Sequence, residues 1–507
     1  MYEALKLALQ NVFDWQVLGI IGLSSTYGLF VGSIPGLTAT MAVALMVPLT
    51  FLLSDVQAIA AIVTTVSCSI YAGDIPATLV RIPGTPASAA YANDAYSLTR
   101  QGKPSLALGI SLVFSVLGGL FGTLVLVVAA PQLAKLATQF TSYEYFWLYV
   151  LGLTCAAIVS DDSRLKGAFS LLLGLLLSTV GLGPDYAAPR LTFGFDELLS
   201  GVNFIPAMIG LFGISEVLRN TLRIREESQQ VPQAPTVHSP LHEIRTAVLP
   251  LAARRWPSLV RSSSLGAIMG MLPGAGADIA AWISYAVSKR FSSDPQAYGK
   301  GSVEGIADAT GANNAALGGA WIPSLVFGVP GDSVTAIAIS VLLMKNIHPG
   351  PEIFDVEKHP KQVALVYSLY LVFIISNLIL IPLGMLAMRG GTALMRIPRS
   401  VLLPVIVLFC VVGSFALNSS YFDVALMIAM GVLGFGLELW RVPLGPIVLG
   451  IILGTELEHK FIQCVSKSRD PMLFVSSKIS LLLAMCCVAL WIVPSLMTLL
   501  RRRRERI

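Results

Sequence analysis

Residues 28–39 read G-L-F-V-G-S-I-P-G-L-T-A, and residues 266–277 read G-A-I-M-G-M-L-P-G-A-G-A. Both fit G-x-x-x-G-x-x-P-G-x-x-A without gaps, and both lie in uncharged runs. Proline in an apolar helix removes a backbone donor and clashes with the carbonyl one turn back. Glycine beside it lets the backbone turn sharply or approach a ligand closely. Inside a bilayer, backbone groups freed in this way persist only where protein buries them or where they line a cavity. Paired breaks in corresponding halves of a chain point to the binding site of a transporter.

A second pair follows the first. Residues 75–84 are I-P-A-T-L-V-R-I-P-G and residues 322–331 are I-P-S-L-V-F-G-V-P-G, sharing I-P-x6-P-G. The offsets are 238 and 247 residues, so the second half carries nine extra residues between its motifs. With 44 Gly and 29 Pro in the chain, one recurrence of Pro-Gly is unremarkable. Two in the same order indicate an internal duplication.

Composition fixes the environment. Hydrophobic residues are 55% and charged residues 12% of the 507, and mean hydropathy is +0.75. Ordinary globular domains carry about 25% charged residues. The pattern is that of an all-α polytopic membrane protein. Its net charge of +5 sits largely in loops and in Arg501–Arg504, which reads as membrane topology and not as nucleic-acid binding. The six cysteines are scattered without C-x-x-C and read as small buried hydrophobes, so no metal site is expected. The N-terminus shows no cleavable signal pattern, and the first span is expected to act as an uncleaved insertion signal.

No charge or His occurs between Asp14 and Asp55. As one helix this stretch would exceed about 55 Å, against a hydrocarbon core of about 30 Å. It must break, at Pro35-Gly36 and again near Pro48. Residues 1–218 are expected to form a first membrane half and 258–500 a second. Residues 219–257 read as a cytoplasmic Arg-rich linker, and 501–507 as a basic cytoplasmic tail. Eleven to thirteen membrane segments, some re-entrant, fit the pattern. The two repeats are expected to be inverted.

Transport of a charged solute needs groups that replace water at mid-membrane. Helix N-termini suit carboxylates, and unwound carbonyls suit cations. The breaks supply the candidate substrate ligands: Pro35, Gly36, Thr38, Arg81, Pro83, Gly84, Thr85, Pro273, Gly274, Gly276, Pro330, Gly331 and Ser333. Thr40, Ser88 and Thr335 add hydroxyls, with a local helix back-bond as the competing role for each hydroxyl. Arg81 lies inside an apolar run, where it pairs either with a substrate carboxylate or with Asp74. Candidate cation ligands are Asn313, Asn314, Asp278 and Asp308, the asparagines having helix capping as their alternative. Catalytic constellations are thin. Asp161-Asp162 has no second acidic pair and reads as a loop turn, and no G-x-x-x-x-G-K-[ST] occurs. No enzyme activity and no tightly bound cofactor are expected.

Taken together, these motifs resemble the large membrane subunit (TctA) of the tripartite tricarboxylate transporters. The resemblance rests on G-S-I-P-G-L-T-A-T at 32–40, I-P-G-T-P-A-S-A at 82–89, T-R-Q-G at 99–102 and G-L-F-G-I-S-E at 210–216. It continues with M-L-P-G-A-G-A at 271–277, E-G-I-A at 304–307, A-N-N-A-A at 312–316 and F-G-V-P-G at 327–331. It implies a secondary transporter of the bacterial inner membrane that imports an organic carboxylate, driven by Na⁺ or H⁺. It also implies two partners, a small membrane subunit and a periplasmic solute-binding protein. A carrier working without a binding protein is the runner-up, and a membrane-embedded enzyme a distant third. The chain departs from the family pattern at four places. Asp74 replaces a second Gly before I-P, and Arg81 replaces Asn before I-P-G. Asp94-Ala95-Tyr96 replaces Asp-Gly-Tyr, and Ala309-Thr310 replaces Pro-Glu.

Overall fold

The computed structural model describes residues 2–34, 37–158, 163–183, 188–223, 240–274, 276–394, 399–468 and 470–504. Among the described residues the chain is all-α apart from one two-residue antiparallel pair, Gly181–Leu182 with Pro189–Arg190. Pro35, Gly36 and the Asp161-Asp162 turn lie outside the described residues.

Ten helices carry the argument: α1 (Trp15–Gly32), α2 (Ala39–Thr50), α3 (Asp55–Ala72), α4 (Asp74–Val80) and α5 (Pro104–Ala137) in the first half, then α6 (Trp256–Met271), α7 (Gly276–Phe291), α8 (Val303–Phe327), α9 (Ser333–Met344) and α10 (Pro360–Leu394). The uncharged stretch after Asp14 is divided, with α1 ending at Gly32 and α2 starting at Ala39. Pro48 lies within the last turn of α2. Among the described residues five helices are long and apolar enough to cross a membrane: α1, 55–80, α5, 360–391 and Tyr421–Leu439. Shorter apolar helices, α2 and α9 among them, have 10–17 residues. At 1.5 Å per residue the 12-residue α2 and α9 reach about 18 Å, roughly half a hydrocarbon core.

Two compact units are present. The larger comprises residues 1–134, 205–271 and 275–435, and the smaller 135–204, 272–274 and 436–507. In the larger unit, glycines bring helix backbones together. A Cβ on Gly28 or Gly32 of α1 would overlap the carbonyl oxygens of Thr65 and Ser69 on α3. A Cβ on Gly266 or Gly270 of α6 would overlap those of Ala312 and Ala316 on α8. These contacts fall at the offsets of the sequence motifs: Gly266 is 238 residues after Gly28, and Ala312 is 247 after Thr65. The G-x-x-x-G segments therefore serve as close helix seams, which need small residues.

The long helices cross between halves. First-half α5 lies on second-half α8, where a Cβ on Gly122 would come 2.5 Å from Ala315 O. Second-half α10 lies on first-half α3 and α4, with Gly391 against Ile75 and the Ser376 hydroxyl 3.4 Å from that of Ser67. The core reflects this crossing: Cys68, Tyr71, Ile75 and Leu79 pack with Leu108 and Leu112 of α5 and with Leu380 and Met388 of α10.

Part of the segment expected as a linker is packed structure. Residues 240–254 are helical. Ile244 joins the cluster around Tyr71, and Val248 and Ala252 join a second one around Tyr91 and Phe114. Arg255 pairs with Glu304 in the first turn of α8. Residues 224–239 lie outside the described residues.

The smaller unit packs Ser142–Ile158 and Arg164–Ser178 with Gly445–Lys467 and Lys478–Arg504. Gly174 and Gly450 make its seam, and Phe146, Phe461 and Phe474 form an aromatic cluster. Arg190 forks onto Glu458 at 2.7 and 3.0 Å, and that carboxylate raises the Arg190 pKa.

Candidate functional site

Each I-P-x6-P-G segment ends a helix by the same backbone device. After α4, Arg81 is left-handed at φ 61°, and Ile82 N–H bonds Pro76 O at 3.3 Å. After α8, Gly328 is left-handed at φ 68°, and Val329 N–H bonds Pro323 O at 3.3 Å. A left-handed residue past the last turn satisfies carbonyls that the helix end leaves open. The chain then turns back on its own helix. Gly84 N–H bonds Gly73 O at 3.1 Å, and a Cβ on Gly84 would stand 2.6 Å from Gly73 Cα. A Cβ on Gly331 would stand 2.6 Å from Gly270 O and 2.7 Å from Ala320 Cα. Gly84, Pro330 and Gly331 are buried, whereas Pro83 is exposed.

The hydroxyls beside the breaks are largely engaged locally. Thr85 and Ser88 bond each other's backbone N–H groups at 3.2 and 3.1 Å. Asp332 and Thr335 form the corresponding capping box at the start of α9, and Thr38 accepts from Met41 N–H at the start of α2. Ser333 is the half-buried first residue of α9. Pro273 and Gly274 belong to the smaller unit, where left-handed Gly274 (φ 82°) packs on Ala156. Gly276 is also left-handed, at φ 60°, and its Cβ would lie 3.3 Å from Asp332 Cβ.

Arg81 does not meet Asp74. The guanidinium is exposed and donates from Nε to Asn93 Oδ1 at 2.9 Å. Asp74 is 1% exposed, and its two oxygens accept from the Tyr91 and Ser111 hydroxyls. Seven helical residues span about 10 Å of rise, too far for an ion pair along one helix.

Tyr91 links Asp74 to the second half. The Asn313 and Asp278 side chains of the second half lie near the Tyr91 hydroxyl. Asp278, exposed in the first turn of α7, also accepts from Ala87 N–H at 3.0 Å. The buried atoms Asn313 Oδ1, Asn314 Oδ1 and Asn314 Nδ2 have no protein partner. Both asparagines are 2% exposed and sit mid-helix, so capping is not their role. Buried polar groups are nearly always satisfied, and exceptions point to an ion, a water or a function. Asp308 differs. It is buried but accepts from Ser258 Oγ at 2.6 and 2.7 Å and from Arg261 Nη2 at 2.7 Å. Its charge is already matched, about 9 Å along α8 from Asn314.

Ser111, Asp74 and Tyr91 thus form one hydrogen-bonded polar cluster, with Asn313 and Asp278 of the second half near it. Among the described residues no group of three or more His, Cys, Asp or Glu stands in metal-binding array.

The model of the tripartite tricarboxylate transporter TctA family matches residues 18–449. The chain belongs to the TctA family. It is a membrane component of a tricarboxylate transporter type. An Agrobacterium vitis relative, an uncharacterized 52.8 kDa protein in the TAR-I ttuC' 3'region, is 32% identical over 497 residues, covering 97% of this chain and 95% of the relative. A second relative from the same organism, an uncharacterized protein in the TAR-II ttuC' 3'region, is 34% identical over 246 residues, covering 48% of this chain and 98% of the relative. No solved structure matches.

Within this TctA-family chain, sequence reasoning missed Tyr91, Ser111 and the Asn93 partner of Arg81. One signal was available: an acid in an apolar run with no base within one helical turn must find its partner on another element. Asp94 stood out in the sequence only as part of the Asp94-Ala95-Tyr96 departure from the family pattern. It is fully buried, and its Oδ1 accepts from the N–H groups of Gly299, Gly301 and Ser302 at 2.7–2.8 Å. It therefore ties the first half to the start of α8.

Proposed function

We propose that this chain is the translocating subunit of a secondary transporter that imports an organic carboxylate across a bacterial inner membrane. A small membrane subunit and a periplasmic solute-binding protein complete the system. The reading is carried by the family match together with the unpartnered buried amide atoms of Asn313 and Asn314 on α8, the helix that ends in the second break. Gly84 N–H is bonded to Gly73 O and the first turn of α9 is capped by Asp332, so a substrate carboxylate at these breaks would replace those bonds at the helix terminus. Asn313 and Asn314 supply hard amide oxygens suited to a coupling cation such as Na⁺.

Reconstitution tests this. Proteoliposomes holding the membrane subunits, supplied with binding protein and radiolabelled citrate, malate or succinate, should accumulate a carboxylate unchanged when a Na⁺ or H⁺ gradient is imposed. Accumulation without any ion gradient, or release of a chemically altered product, overturns the reading. Full uptake in the absence of binding protein replaces it with a stand-alone carrier.

The recurring seams and breaks also support two inverted repeats that rock or slide relative to each other during transport. In a cysteine-free background, single cysteines near Lys103 and near His348 should then label from opposite faces of the membrane. Labelling from one face favours parallel repeats instead.

A further inference from the structure

On the transport reading above, we propose that Asp74 is a proton-carrying site of this transporter, set one residue from Gly73, onto which the first helix break folds back. Asp74 follows Gly73, the residue whose carbonyl receives Gly84 N–H when the break folds back. The carboxyl lies within the 55–80 span and is buried. An intramembrane carboxyl with no counter-charge is a functional candidate, because its ionised form is expensive there unless a proton or a cation neutralises it.

The surroundings offer no cation. On its own span, Tyr71 is a buried neighbour and brings no positive charge. The segment after the break contributes Tyr91, and α5 contributes Ser111. From α7, the group near Tyr91 is the Asp278 carboxyl, which brings no cation either. The bases on flanking elements, Arg81, Arg245 and Arg389, are exposed, and no ion pair to Asp74 exists among the described residues. Both donors to Asp74 are rotatable hydroxyls. When a proton adds to one carboxyl oxygen, the hydroxyl bonded there can turn and accept, so both states are satisfied without moving a helix. On release the O–H bond breaks, the proton passes to water, and that hydroxyl turns back to donate.

The site also explains coupling. An ionised Asp74 beside Gly73 and Gly84 opposes a substrate carboxylate at the break, and a protonated one does not. Proton and anion therefore bind together. At the position 247 residues on, the second half carries Trp321, fully buried and edge-on to Phe373. No carboxyl therefore stands at the position in the second half that corresponds to Asp74; the Asp332 carboxyl there lies past the break and caps α9.

The test uses the complete system in proteoliposomes, with equal Na⁺ on both sides and an alkaline interior. Wild-type protein should accumulate citrate, malate or succinate, and a protonophore should abolish this. Asp74→Asn should lose at least about tenfold of the accumulation driven by the pH gradient, a difference of ~1.4 kcal/mol, while still exchanging substrate more slowly between compartments of equal pH. Accumulation by Asp74→Asn equal to wild type overturns the proposal. Should that variant fail to insert, Tyr91→Phe removes one donor from Asp74. It should displace the pH of half-maximal exchange, and an unchanged pH profile overturns the proposal. Wild-type accumulation with a Na⁺ gradient but none with a pH gradient overturns the proton assignment and leaves the transport reading standing. Wild-type protein that moves no carboxylate under either gradient overturns the transport reading itself.

Discussion

The two helix breaks of the larger unit share a backbone and differ in chemistry. Arg81 and Gly328 occupy the same left-handed position, and Ile82 and Val329 make the same return bond. Gly84 and Gly331 press on equivalent residues, Gly73 and Ala320. Past each break a short side-chain cap restarts the chain, Thr85 with Ser88 in the first copy and Asp332 with Thr335 in the second. Around this common frame the side chains diverge. The first break has a buried carboxyl at Asp74 and an exposed base at Arg81, whereas the second has Trp321 and Gly328 there. The second half instead holds its polar pair, Asn313 and Asn314, further back on α8. A duplicated backbone can thus keep its mechanics while the two copies differ in where their polar side chains sit: a carboxyl before the first break at Asp74, a capping carboxyl after the second at Asp332 and an amide pair on α8.

If the shared frame is what matters, its contact points should be intolerant in both copies. Gly84→Val and Gly331→Val each place branched atoms where even a Cβ meets backbone at 2.6 Å. Uptake should be abolished in both, with membrane insertion retained by surface labelling. Normal uptake by both would mean that the breaks do not line the working site. Gly73→Ala sharpens the point, because it gives the first break the residue found at Ala320. The nearest obstacle to that Cβ is the Thr85 methyl at 2.7 Å, a side chain that can rotate. A cost within the usual ~1–3 kcal/mol of overpacking and a partial loss of rate are expected, measured by thermal inactivation and initial uptake.

The divergent part predicts separable ion effects. Removing the Asn314 amide should raise the Na⁺ concentration for half-maximal uptake about tenfold, ~1.4 kcal/mol, with little change in substrate affinity at saturating Na⁺. An Asn314→Ala variant with unaltered Na⁺ dependence would assign the unpartnered amides to water instead.

How much of the fold and the site was legible in the sequence depends on how far apart the partners are. The breaks were readable because Pro and Gly act on their own backbone, and the seams because G-x-x-x-G acts within one turn. The capping hydroxyls were readable as alternatives, since Thr85 and Ser88 are three residues apart. Asp74 was not: its partners stand 17 and 37 residues away, on elements whose approach depends on the whole packing. Asp308 was read as a cation site for the same reason, because Arg261, 47 residues earlier, supplies its charge only in the folded chain. Local rules therefore found the frame, and tertiary contacts decided which polar groups stay available within it.

The smallest effect tests whether the two left-handed caps are interchangeable. A side chain in that conformation costs roughly 1–2 kcal/mol relative to the right-handed form, a penalty that Gly escapes. At Gly328 a Cβ would have room, the nearest atom being Pro349 O at 3.9 Å, so Gly328→Ala should express that backbone penalty alone. Arg81→Gly relieves the same penalty but gives up an exposed bond to Asn93, of about 0.5–1.5 kcal/mol, and adds freedom to the unfolded chain. These terms nearly cancel. Thermal unfolding in one lipid environment should therefore show Gly328→Ala clearly less stable than wild type and Arg81→Gly almost unchanged. If Arg81→Gly proves the more damaging of the two, the Asn93 contact holds the first break in place, and the two breaks differ in mechanics as well as in chemistry.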